Sequence, residues 1–159
     1  MPTTHTYDIA LAWTGNLGSG TDTYRTYSRD HELQATGKTT IPASSDPAFR
    51  GDGARWNPEE LLVASVSQCH MLWYLHLCAA DGVVVTDYKD HAHGVMTMDE
   101  RGGGGQITEV VLHPEVTVAD ESMVTRARTL HGSVHDVCFI ARSVNFPITH
   151  QPTTRVKAD

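Results

Sequence analysis

Three cysteines, Cys69, Cys78 and Cys138, carry the side chains of this chain best suited to covalent chemistry. Cys78 follows Cys69 by nine residues in a stretch that reads as one helix. At about 100° and 1.5 Å per residue, the two point to opposite sides, roughly 13 Å apart along the axis. A disulfide needs Cα atoms within about 7 Å, so this pair cannot bridge, and Cys78 reads as a small core hydrophobe. Cys69 and Cys138 lie 69 residues apart and carry no such veto. A widely spaced pair in a chain without a secretion signal points to thiol redox chemistry rather than a structural staple. Such a cysteine must ionise, and a buried thiol resists ionising unless a cation is near. Arg25, Arg29, Arg50 and Arg55 all precede the helix and are the candidates. A guanidinium is always charged and can hold both a thiolate and a peroxide oxygen. Glu59 is the carboxylate placed to orient it. Ten residues along one helix, about 15 Å, separate Glu59 from Cys69, so they cannot share a site within one chain. Two copies of the helix packed antiparallel about a two-fold axis could bring them together, which predicts a homodimer.

The helix that positions Cys69 has its own start signal. Asn57 is a good N-cap, Pro58 suits the first helical position, and Glu59 and Glu60 favour the positive end of the helix dipole. The spacing predicts a helix to about Ala80, with Gly82 as the stop. Few residues after Glu60 are charged, and a helix apolar nearly all round is expected to be buried on most sides. Before it, residues 5–14 alternate Tyr7, Ile9, Leu11 and Trp13 against smaller or polar residues, which predicts a strand. Thr23–Ser28 and His31–Ala35 predict two more strands of a meander. Residues 38–56, with Pro42, Pro47, Gly51 and Gly53, read as a long functional loop. After the helix, Val83–Met98 and Ile107–Val118 flank a run of four glycines and predict a hairpin. Asp120 or Glu121 opens a second helix through about His135, and Asn145–Val156 predicts a last strand. Strands and helices are segregated in two halves, so the class is α+β, and residues 1–159 read as a single domain.

Composition narrows the function. The 159 residues are 40% hydrophobic and 19% charged, ordinary for a globular protein. A net charge of −7 without a basic run argues against nucleic acid or an anionic membrane as partner. The N-terminus lacks the pattern of a signal peptide, and no apolar stretch approaches the roughly 20 residues of a membrane span. Cytoplasmic localisation is the expectation. Among the ten histidines, His131 and His135 share a helical face with Cys138, and His91 and His93 share a strand face. Histidines favouring a helix C-terminus account for the first set, and no metal is expected. His70 adjoins Cys69 but points about 100° away, so it does not read as its base.

Asn57-Pro58-Glu59-Glu60-Leu61, with Cys69 ten residues after Glu59 and Cys138 downstream, resembles the OsmC/Ohr family of cysteine peroxidases. The order of strands and helices agrees over nearly the whole chain. The resemblance implies an intertwined homodimer, with two antiparallel sheets around central helices. It implies a stress-response, antioxidant enzyme that reduces organic hydroperoxides, with Cys69 peroxidatic, Cys138 resolving and Glu59 partnering the arginine. Arg50 matches the OsmC-branch arginine with a one-residue spacing difference, and Arg25 is the counterpart for the Ohr branch. Cys69 sulfenic acid would condense with Cys138, and an external dithiol would reduce the disulfide, with no cofactor. Phe49, Trp56, Met71 and Trp73 are candidates for the apolar substrate pocket. Phe139 stands where the family has a proline, and Met71–Leu77 is bulkier than a typical family helix, which marks a divergent subgroup. A non-catalytic small-molecule-binding dimer and a His/Cys metal-binding protein are the alternative readings.

Overall fold

The computed structural model describes residues 1–100 and 102–158, which fall into two compact units, Met1–Leu61 and Leu62–Asp159. The first holds a three-stranded antiparallel sheet of β1 (Ala10–Trp13), β2 (His31–Gln34) and β3 (Ile41–Ala43) in that order. Its first strand is shorter than the alternation from Tyr7 predicts, because β2 offers only the four partners His31–Gln34. Thr23–Ser28 is no strand. Arg29 stacks over the rings of Tyr24 and Tyr27 at 4.3 and 4.0 Å, and its guanidinium donates to both of their carbonyls, which folds the segment into turns. The expected loop at 38–56 contains β3 and a 3-10 turn, Pro47–Phe49. Buried Ser44 ties it together: its N–H donates to Trp56 O at 2.8 Å, its hydroxyl donates to Asp30, and the Asp52 N–H donates to that hydroxyl. Gly51 packs so tightly that a Cβ there would lie 1.5 Å from Ser45 O.

The central helix, α1 (Pro58–Ala80), begins as its sequence predicts. The Glu60 N–H donates to Asn57 Oδ1 at 2.8 Å, and the Asn57 N–H donates back to the Glu60 carboxylate at 3.1 Å, a reciprocal capping box. Gly82 ends it at φ 74°. In the single chain α1 is not buried on most sides. Val66, Cys69, His70, Tyr74 and Cys78 form one buried stripe, while Leu72 is 60% exposed. At 23 residues α1 is long and apolar enough to pass for a membrane span, which corrects the expectation that no stretch approaches that length.

In the second unit, β4 (Val85–Asp90), β5 (His93–Met98), β6 (Gly105–Leu112) and β7 (Pro114–Val118) precede α2 (Val124–Val134), then β8 (Ile148–His150) and β9 (Thr153–Val156). The single hairpin expected here is divided between two sheets, ordered β4-β7-β9 and β5-β6-β8. Asp90 explains the break: one carboxylate oxygen accepts the His113 N–H at 2.7 Å and the other accepts from Ser67, so the ladder stops. His91 therefore falls between strands and shares no strand face with His93. The last expected strand is likewise two, and both pair parallel, β8 with β6 and β9 with β7. Each sheet is thus antiparallel with one parallel pair added, because the chain returns through α2 before pairing again. Pro114, Val116 and Val118 alternate inward on β7, and Val116 and Val118 pack with Tyr74, Cys78, Leu130, Val134 and Cys138. A Val or Leu buried this fully contributes roughly 1.5–3 kcal/mol. The class is α+β, as the sequence predicts.

Candidate functional site

Two elements bring the distant cysteines together. Cys69 lies on the buried stripe of α1, and Cys138 follows α2 by one turn, where its N–H donates to Val134 O at 2.8 Å. The Cys138 thiol donates to Cys69 Sγ at 2.8 Å, and the Ala141 N–H donates to Cys138 Sγ at 3.4 Å. All three cysteines are free thiols. Burial, followed by the neighbouring Cys69 thiol, pushes the Cys138 thiol up to about 11, so at neutral pH it keeps its proton. Cys78 is raised too, mainly by burial, among core side chains on α1.

The sulfurs differ in what they face. Cys69 retains 9% exposure and opens on a cavity of about 310 Å³ lined by Leu72, Trp73, His76 and Phe139. Cys138, 1% exposed, instead lines a small void of about 20 Å³ with His70, His131, His135 and His150, room for about one water. The sulfur pair therefore has an apolar, open side at Cys69 and an enclosed, histidine-lined side at Cys138.

Of that cluster the sequence joined His131 and His135 with Cys138, while His70 and His150 come from α1 and β8 and could not be added from spacing. His70 Nε2 and His131 Nδ1 share a hydrogen bond of 3.0 Å, and the Tyr74 ring stacks on His131 at 3.9 Å. Tyr74 also donates its hydroxyl to Ala127 O at 3.0 Å, pinning α1 to α2. Burial, then repulsion from His150, lowers His70 to about 4; burial, then His70, lowers His131 to about 3. Both rings are neutral at pH 7. His131 Nε2 is buried without a partner. Among the described residues, no group of three His, Cys, Asp or Glu side chains could hold a metal ion, so the expected face of His131, His135 and Cys138 lines a void without forming a ligand set.

Of the predicted pocket residues, Trp73 lines the Cys69 cavity, and Met71 sits half-buried on α1 outside its lining. Leu72, His76 and Phe139 were missed. The first two share the α1 face of Cys69 at i+3 and i+7, a spacing that signals them once Cys69 is chosen. Phe49, Trp56 and the arginines belong to the N-terminal unit. There Phe49 O accepts from Tyr24 and Trp56 bridges to Ala43. Arg29 is occupied by its tyrosines, and Arg55 pairs with Asp30 at 3.7 Å and Asp52 at 3.9 Å. Among the described residues, no ion pair or side-chain hydrogen bond engages the guanidinium of Arg25 or Arg50. Arg50 caps the 3-10 turn at φ 66°, and it is the non-glycine residue with positive φ among those described. Glu59 lies half-buried in the first turn of α1.

Residues 51–153 match the family model described as OsmC-like protein. No curated protein matches the chain. Among solved structures, an OsmC-like protein of unknown function from Vibrio cholerae is similar at 29% identity and TM-score 0.83, over 94% of this chain and 100% of that one. An OsmC-like protein from Mycoplasma pneumoniae is similar at 13% identity and TM-score 0.72, over 96% of this chain and 99% of that one. An organic hydroperoxide resistance protein OsmC from Legionella pneumophila gives 16% identity and TM-score 0.69, over 98% of this chain and 100% of that one. The last two share the fold.

Proposed function

Because this chain belongs to the OsmC-like protein family, we propose that it is a thiol-dependent peroxidase that reduces organic hydroperoxides through Cys69 and Cys138. The observation that carries this reading is the 2.8 Å contact of the two sulfurs, with Cys69 alone of the pair opening on the apolar cavity. The Cys69 thiolate attacks the distal oxygen of ROOH and breaks the O–O bond. The alkoxide takes a proton and leaves as ROH, and Cys69 becomes a sulfenic acid. Cys138 then displaces that hydroxyl as water and forms the disulfide. Displacement at sulfur needs attacker and leaving group in line. The hydroxyl on Cys69 must therefore lie on the side of that sulfur away from Cys138. An external dithiol exchanges with the disulfide and restores both thiols.

In this reading Arg50 steadies the thiolate. Its left-handed backbone favours it over Arg25, since strain of this kind persists where a side chain must be aimed. Glu59 orients the guanidinium, Phe49, Trp56 and Met71 extend the apolar lining, and residues 1–159 act as one domain of a homodimer. A reducing, cytoplasmic setting suits three free thiols and a dithiol donor.

Consumption of cumene hydroperoxide with dithiothreitol tests the scheme. Wild type and Cys78→Ser are expected to turn over. Cys69→Ser should not react, and Cys138→Ser should react once and accumulate sulfenic or sulfinic acid at Cys69. Arg50→Ala should slow alkylation of Cys69 near neutral pH. A disulfide mapped to Cys78, or none in the oxidised wild type, would overturn the two-cysteine mechanism. A co-purified apolar ligand without turnover would favour the binding-protein alternative.

A further inference from the structure

The cavity at Cys69 is built almost entirely from one helix face. Cys69, Leu72, Trp73 and His76 fall at i, i+3, i+4 and i+7 of α1, and Phe139 is the one lining residue from another element. Phe139 directly follows Cys138 in the chain.

Its position is fixed from the backbone. The Ser143 hydroxyl donates to Phe139 O at 2.7 Å, and the Arg142 N–H donates to Cys138 O at 3.1 Å, so one tight turn holds both residues. Its side chain is 66% exposed, yet its ring stands edge-to-face with Trp73, centroids 5.3 Å apart at 76°. His76 meets Trp73 the same way, at 5.5 Å and 88°. Three π-systems thus border a cavity of about 310 Å³ that ends at a reactive sulfur. A peroxide whose distal oxygen reaches Cys69 must leave its organic group among them. An aryl ring offers them a face and an edge; a small alkyl group does not.

We propose that Phe139, acting with Trp73, is the specificity-determining wall of this cavity, and that it selects hydroperoxides bearing an aryl ring over those bearing a small alkyl group. This rests on the peroxidase reading above. An aromatic pair is worth roughly a two- to tenfold preference beyond its apolar area.

The test compares kcat/KM for cumene hydroperoxide with that for tert-butyl hydroperoxide, in wild type, Phe139→Ala and Phe139→Leu. The cumene-to-tert-butyl ratio should fall roughly two- to tenfold in Phe139→Ala and also fall in Phe139→Leu, which keeps apolar bulk but loses the ring. The change should lie in KM rather than kcat. The ratio cancels any loss of folded protein, so an unchanged ratio in both variants overturns the proposal. A second measurement separates the cavity from the chemistry. In a Cys69→Ser background, titration calorimetry with 2-phenyl-2-propanol should show binding that Phe139→Ala weakens by a similar factor. Phe139-dependent binding without wild-type turnover would remove the peroxidase and leave the aryl site standing. Neither binding nor turnover would remove both.

Discussion

His70 and His131 make the acid stability of this protein a question about single residues. The native state holds both rings neutral until about pH 4 and about pH 3, whereas an unfolded chain protonates them near 6.5. Below 6.5 the unfolded state therefore binds more protons. The stabilisation is fully present above pH 6.5 and is lost as pH falls, at roughly 1.4 kcal/mol per unit for each ring, until the native rings protonate in turn. Denaturant midpoints at pH 7, 6 and 5 should fall progressively. His131→Gln should start lower at pH 7 and decline less steeply; equal slopes for the two proteins would refute the account. Little of this was legible in the sequence. Asn57 could be read as a cap because the N–H it accepts from lies only three residues on. The His70–His131 pair spans 61 residues and two helices, and nothing local marks it. Phe139 was noticed only as a departure from a family pattern, because its place at the Cys69 cavity depends on how α2 ends.

At the scale of elements, reading fared best where one segment decides its own structure. α1 carries its cap and its stop in its own residues, Asn57 and Gly82. Asp120, which accepts from the Ser122 N–H at 2.8 Å where the second helix is expected to open, instead caps a 3-10 turn, Glu121–Met123, and α2 follows it without a side-chain cap. Strand limits depend on partners. Residues 5–9 alternate like a strand but have no partner strand among the described residues, and Asp90 ends a ladder by a side-chain hydrogen bond that periodicity cannot anticipate. The segment read as a loop is held by Ser44 and by the close passage of Gly51 over Ser45. A Gly51→Ala methyl has nowhere to go without moving that backbone. It should lower stability by on the order of 3 kcal/mol. Limited proteolysis should then cut between Ile41 and Trp56; a wild-type cleavage pattern and midpoint would show that the loop yields more easily than its geometry implies.

For the molecule as a whole, the unburied apolar surface is the governing fact. Tyr7, Ile9 and Leu11 are 86, 71 and 65% exposed, and Leu72 on α1 is 60% exposed. A second copy of the chain is the cover expected from the Glu59–Cys69 spacing. Sedimentation at micromolar concentration should give a dimer, and Tm should rise with protein concentration. A monomer with an intact fold would take Glu59 out of the site. The α+β class and the two helices were legible in the sequence, while the division of one hairpin between two sheets was not. The parallel closures β6–β8 and β7–β9 bear on how this chain reaches its structure. The β5–β6 hairpin closes through a short turn and can form early, and β4 can pair with β7 once it has brought their ends together. Neither sheet is complete until the crossover through α2 has been made, and closing so long a loop loses entropy before any contact repays it. The slow step in folding is then the docking of β8 and β9, and its duration sets how long the faces of both sheets stay open to other chains.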